Sequence, residues 1–126
     1  MLITPLYAAV FGLFFVFLSA RVIWIRRHYK VAFGVGENKK LERAVRVHGN
    51  FSEYVPLTFL LIYFVEIENT NAMWIHALSI TFLVARCSHA FGVSRIKEDL
   101  RFRVCGLFLT GVVICASALM ILVGRL

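Results

Sequence analysis

Apolar residues along this chain fall into four long runs separated by three polar connections. The first extends from about Leu2 to Ile25, the second from about Phe51 to Val65, the third from about Ala72 to Phe91 and the fourth from about Val104 to Val123. A helix rises about 1.5 Å per residue, so about 20 residues cross the roughly 30 Å of bilayer hydrocarbon. The second run is short, but a polar helical prolongation from Lys39 to Asn50 precedes it, and Asn38 stands where an N-cap would. The pattern predicts an all-α membrane protein: a single domain over residues 1–126, built as an antiparallel bundle of four transmembrane helices. Gly34 and Gly36 mark a turn in the first connection, and Pro56 falls inside the second helix, where a missing backbone N–H favours a kink. The first run has no basic segment before it and ends in Arg26-Arg27 instead of small residues, so it reads as a retained helix and not a leader.

Composition supports this picture, because 60% hydrophobic residues is more than a soluble chain of 126 residues needs. The formal net charge of +7 would by itself suggest a nucleic-acid partner. Its distribution excludes one. Arg26, Arg27, Lys30, Lys39, Lys40, Arg43 and Arg46 gather in and beside the first connection, and Arg95, Lys97, Arg101 and Arg103 around the third. The second connection carries Glu66 and Glu68 and neither Lys nor Arg. That alternation is the positive-inside pattern; it predicts cytoplasmic first and third connections, with both termini on the opposite side. Cys87, Cys105 and Cys115 lie in or beside apolar runs without metal-ligand spacing, which predicts reduced structural thiols and no metal site.

The polar side chains at the basic end carry the chemistry. Arg46, Asn50 and Glu53 stand at i, i+4 and i+7, so they share one helix face, with Arg43 on the same stripe and Tyr54 beside it. Such a stripe is either a clasp that closes a bundle or one wall of a binding site. Arg86 and His89 share a face near the end of the third helix; singly, the arginine reads as a snorkelling interfacial cation and the histidine as a structural residue. Arg103, Gly106 and Thr110 form a stripe opening the fourth helix, where the glycine permits close helix approach. Arg21 lies deeper in the first helix than Arg26 and Arg27, and Glu53 is its expected partner. Together these groups would favour a small polyanionic ligand bearing an amine, beside an apolar wall open to the bilayer.

The segment Glu42 to Pro56, ERAVRVHGNFSEYVP, resembles the signature of the MAPEG family, membrane-associated proteins in eicosanoid and glutathione metabolism. Four spans, the basic first connection, Arg86-x-x-His89-x-x-Gly92 and Arg103-x-x-Gly106 extend the resemblance over nearly the whole chain, and it is strongest to small bacterial members. The resemblance implies a homotrimer in a bacterial inner membrane with glutathione held between subunits. It implies that Arg46, Asn50, Glu53 and Tyr54 hold glutathione, with Arg26 or Arg27, Arg86 and His89 contributing. Arg103 then activates the thiol, with Arg101 as the alternative. The implied activity is a detoxifying glutathione transferase, with peroxidase chemistry available to the same thiolate and a lipophilic electrophile or hydroperoxide as second substrate. Val93 stands where several family enzymes carry a tyrosine, a departure that favours the alternative of a non-catalytic lipid-binding or scaffold protein. The lipid-presenting member of the family departs from the signature's arginine and glutamate, whereas Arg46 and Glu53 are kept here.

Overall fold

The computed structural model describes residues 2–97 and 99–124, and folds them into four helices. They are α1 (Thr4–Tyr29), α2 (Lys39–Ile67), α3 (Ala72–Ser94) and α4 (Leu100–Val123). Three of them, α1, α3 and α4, are long and apolar enough to cross a membrane. Helix α2 falls short on composition because its first three turns are polar, although its 29 residues extend roughly 43 Å.

The helix boundaries follow local chemistry. Asn38, Asn71 and Asp99 cap α2, α3 and α4, accepting from the backbone N–H of Leu41 at 3.0 Å, Met73 at 2.9 Å and Arg101 at 3.0 Å. Lys30 ends α1 in the left-handed conformation, and Gly34 and Gly36 both take positive φ, so the first connection turns where those glycines stand. Helix α1 has no side-chain cap of its own. Its first N–H groups are met from another helix: the Glu66 carboxylate, at the far end of α2, accepts from Ile3 N–H and from Thr4 N–H at 2.9 Å.

That contact puts the start of α1 beside the end of α2. Tyr7 meets His76 at the same level, its Oη 2.8 Å from Nδ1. At the opposite end, Arg43 of α2 reaches the Val93 carbonyl of α3 at 3.1 Å, and Ser88 of α3 donates to the Phe102 carbonyl of α4 at 3.0 Å. Successive helices are therefore antiparallel, and the basic connections share one end. Between the ends lies an aromatic core in which Phe11 packs on Phe59, Phe82 and Phe51, with ring centroids 4.8, 4.9 and 5.7 Å away.

Large apolar side chains also cover the outside. Leu6, Leu13, Val16 and Trp24 of α1 and Phe108, Leu119 and Leu122 of α4 are exposed. A surface of this kind is stable against hydrocarbon and a liability in water. Cys87, Cys105 and Cys115 are free and also exposed, so the thiols belong to the outer surface and do not pack the core.

Candidate functional site

The inward face of α2 at the basic end is Leu41, Ala44, Val47 and Phe51, all buried. Packing that face fixes the orientation of the polar stripe beside it. Arg46 and Glu53 are exposed and Asn50 is half-buried, so the two ends of the stripe point out of the chain instead of clasping the bundle shut. Tyr54 lies at the same surface, its ring 5.8 Å from the Arg86 guanidinium carbon.

Arg86 is the largest fully buried side chain, 1% exposed, which overturns its reading as a snorkelling cation. One Nη2 donates to Asn50 Oδ1 at 2.6 Å and lies 3.2 Å from His89 Nδ1; Nη1 is 3.5 Å from the Thr110 hydroxyl. Phe51 and Tyr54 flank the guanidinium, the Phe51 centroid lying 6.0 Å from its carbon. A buried cation needs such partners, because desolvation would otherwise expel it. The shortest of these contacts is the one to the Asn50 side chain, whose orientation Arg86 fixes. His89 is equally buried.

Gly106 creates the space for this network. A Cβ there would lie 2.6 Å from the Ala85 carbonyl oxygen and 2.7 Å from His89 Cβ, so only glycine lets α4 approach α3 so closely. Gly92, one turn nearer the end of α3, meets the backbone of Arg103 in the same way, at 2.8 Å. Arg103 is thereby set against α3.

Three arginines converge beside this contact. A cavity of about 230 Å³ is lined by Glu42, Arg43 and Arg46 from α2, Val93 from α3 and Arg103 from α4. Of the two fourth-helix arginines, Arg103 lines this cavity, whereas Arg101 is exposed. Arginine forks of this density suit carboxylates, since each can donate two parallel hydrogen bonds. The Val93 side chain, buried in the wall, has no hydrogen-bonding group, although the Val93 carbonyl accepts from Arg43.

Arg26 and Arg27 are not brought to this cavity. They line a separate one of about 300 Å³ with Ile23, Lys30, Val31 and Ala32, and Arg26 is engaged by the connection itself, donating to the Gly34 carbonyl at 2.7 Å. Arg21 does not pair with Glu53 as its depth suggests; its Nη1 donates to Ser94 Oγ at 2.6 Å, because the α1 face that carries it packs toward the end of α3. A further polar contact was not legible in the spacing: His48 Nε2 lies 2.9 Å from Ser19 Oγ, with Phe15 stacked on the imidazole at 4.8 Å, which ties α1 to the signature segment. Only the presence of His48 inside that segment pointed to it.

An apolar groove of about 340 Å³ runs along the α1–α2 seam, among Phe11, Gly12, Phe15, Phe51, Val55, Pro56 and Phe59. It reaches Ser52, the neighbour of Glu53. Pro56 has no N–H to give the Ser52 carbonyl, so α2 lacks one backbone bond at this level. Among the described residues no three His, Cys, Asp or Glu side chains gather as a metal ion would require.

Residues 4–123 match the MAPEG family. The chain is also similar to the inner membrane protein YecN of Escherichia coli strain K12, with 32% identity over 121 residues, covering 96% of this chain and 88% of YecN. The YecN of Escherichia coli O6:H1 strain CFT073 matches to the same extent. Matches of this breadth take in the arginine cavity, the buried Arg86 network and all four helices, and the chain belongs to the MAPEG family.

Proposed function

We propose that this protein is an integral membrane glutathione transferase. The observation that carries the reading is the cavity in which Arg43, Arg46 and Arg103 converge, at the end of the bundle where Asn50 is held by a buried arginine. Glutathione has two carboxylates, an amine and a thiol. The arginines match the carboxylates and the exposed Glu53 matches the amine. The apolar groove along α1 and α2 gives a lipophilic second substrate a place next to that ligand.

The chemistry follows from charge. A free thiol has a pKa of about 8.5 and is mostly protonated at neutral pH. The Arg103 guanidinium stays charged and lowers the thiol's pKa when placed beside it. The thiol proton passes to solvent, the sulfur lone pair forms a bond to the electrophilic carbon, and a halide leaves with its bonding pair. With a hydroperoxide, the thiolate takes the terminal oxygen, an alcohol is released, and a second glutathione gives the disulfide and water.

One chain brings Arg46 and Arg103 together and leaves Arg26, Arg27, Glu53 and Tyr54 outside the lining of that cavity. A homotrimer with each site shared between neighbours would join them, in a bacterial inner membrane with the basic connections in the cytoplasm. The test is conjugation of glutathione to a generic aryl halide by the purified protein. No glutathione-dependent turnover in folded trimer would sink the proposal. A second reading, a non-catalytic lipid-binding protein, is favoured by one observation: Val93 gives the cavity an apolar wall. Calorimetric titration separates the two, since a scaffold shows no saturable glutathione binding.

A further inference from the structure

The basic end contains a third cavity, of about 380 Å³, where α1, the start of α2 and the end of α3 meet. Arg21, Trp24, Ile25, His28 and Tyr29 line it from α1, Lys40 from α2, Ser94 from the end of α3 and Ile96 from just beyond it. It shares no lining residue with the arginine cavity or with the one around Arg26 and Arg27. None of its described lining residues is acidic.

Arg21 is the unusual member. It stands eight residues before the end of α1, about 12 Å along the helix axis, inside an apolar run. Its hydrogen-bond partner is a neutral hydroxyl, Ser94 Oγ. A guanidinium has five N–H donors, and a cation at such depth is costly without an anion. Lys40 and His28 add donors to the same space. Above Arg21, Trp24 stacks on His28 with centroids 5.5 Å apart, and Tyr29 meets His28 edge-on at 4.8 Å, the aromatic placement found at the level of lipid headgroups.

We infer that this cavity is a binding site for the headgroup phosphate of an anionic phospholipid, held by Arg21 and Lys40. A phosphate oxygen can take the free donors of the arginine fork and an ammonium together. The source is a bilayer lipid and not a soluble phosphate, because Arg21 lies within the apolar run and Trp24 and Ile96, both exposed, form an apolar rim on which acyl chains can lie. An anionic lipid is selected over a zwitterionic one because the described lining offers no carboxylate for a choline or an amine. Basic pockets between transmembrane helices take such headgroups. The inference stands apart from glutathione chemistry, since neither cation lines the arginine cavity.

Native mass spectrometry of the full chain in neutral detergent, titrated with phosphatidylglycerol, phosphatidylcholine or inorganic phosphate, tests it. Phosphatidylglycerol should bind saturably and phosphatidylcholine at least tenfold more weakly. Arg21→Gln and Lys40→Gln should each weaken phosphatidylglycerol about fivefold, the effect of one basic residue at an anionic surface. Lys39→Gln, one residue outside the lining, should leave it unchanged. Equal affinity for the two lipids overturns the inference, as does competition by inorganic phosphate at equal concentration, which would mark a soluble-anion site. Should Arg21→Gln fail to fold, the exposed Lys40 decides alone, and unchanged affinity in Lys40→Gln overturns the assignment.

Discussion

The two ends of the bundle treat charge in opposite ways. At the acidic end, the Glu66 carboxylate accepts from the first N–H groups of α1, and the contact is closed within the chain. At the basic end, cations crowd three separate cavities, and the one most deeply buried, Arg86, serves to hold a neutral amide. A charge answered by the fold does structural service. A charge that is exposed at a cavity wall, as Arg46 is, can be reached by a ligand. Burial separates the two kinds here: Arg86 is buried and engaged, while Arg46 is exposed and lines a cavity.

The largest expected effect removes the basic end altogether. Gly106→Leu puts a branched side chain where even a Cβ would meet the Ala85 carbonyl and His89, so α3 and α4 cannot close and no folded protein should be recovered from detergent. Gly106→Ala is the milder form, expected to cost about 1–3 kcal/mol of stability in a denaturant titration. If Gly106→Ala were neutral, the Arg86 network would not depend on that close approach.

Next in size is Arg103→Ala. Loss of the thiolate partner should lower kcat/KM for conjugation about a hundredfold, about 2.7 kcal/mol, without unfolding the chain. The pH profile carries a second signature. If Arg103 lowers the pKa of the bound thiol as proposed, its removal should move the rising limb of the rate toward the ordinary thiol value of about 8.5. Arg101→Ala, an exposed position, should leave that limb in place. The reverse result would exchange the roles of the two arginines.

Arg46→Ala and Glu53→Gln come third. Each should weaken glutathione about tenfold, about 1.4 kcal/mol, as read by calorimetry. Both side chains are exposed, so thermal unfolding should barely change. Collapse of the fold in either variant would move the stripe from the ligand-binding class of charge to the structural one, and the contrast between the two ends would fail.

Much of this organisation was legible in the sequence, and the reasons differ by region. The apolar runs show the helices because bilayer thickness fixes their length, and Asn38 announces the start of α2 through its side-chain chemistry. Gly106 was legible as a close-approach residue. The burial of Arg86 is not legible, because a helical position does not tell which neighbour will cover it; α2 and α4 do so here, through Asn50 and Thr110. Arg21 drew the wrong partner for the same reason: depth along a helix gives a level, whereas rotation, set by packing, decides between Glu53 and Ser94. The sequence shows Glu66 only as a topology charge, since nothing in its spacing shows that the first N–H groups of α1 lie beside it.

Glu66 also gives the smallest prediction. It lies just beyond the second apolar run, which ends at Val65. Burial pushes its carboxyl upward, but the hydrogen bonds received from Ile3 and Thr4 outweigh burial and hold it below the ordinary carboxylate range. Glu66→Gln keeps an acceptor for one N–H and loses the charge at a helix N-terminus, a change of about 0.5–1 kcal/mol. Glu66→Ala removes the cap, at about 1–2 kcal/mol. Because the folded carboxyl titrates below the unfolded one, its contribution is complete above the unfolded pKa of about 4 and declines as pH falls through the folded value. The wild type and Glu66→Gln should therefore differ in thermal stability at neutral pH and converge in acid, with glutathione affinity the same in both at neutral pH. A loss of glutathione binding in Glu66→Gln would show that the acidic end communicates with the arginine cavity, and the separation of structural from available charge would no longer follow the two ends of the molecule.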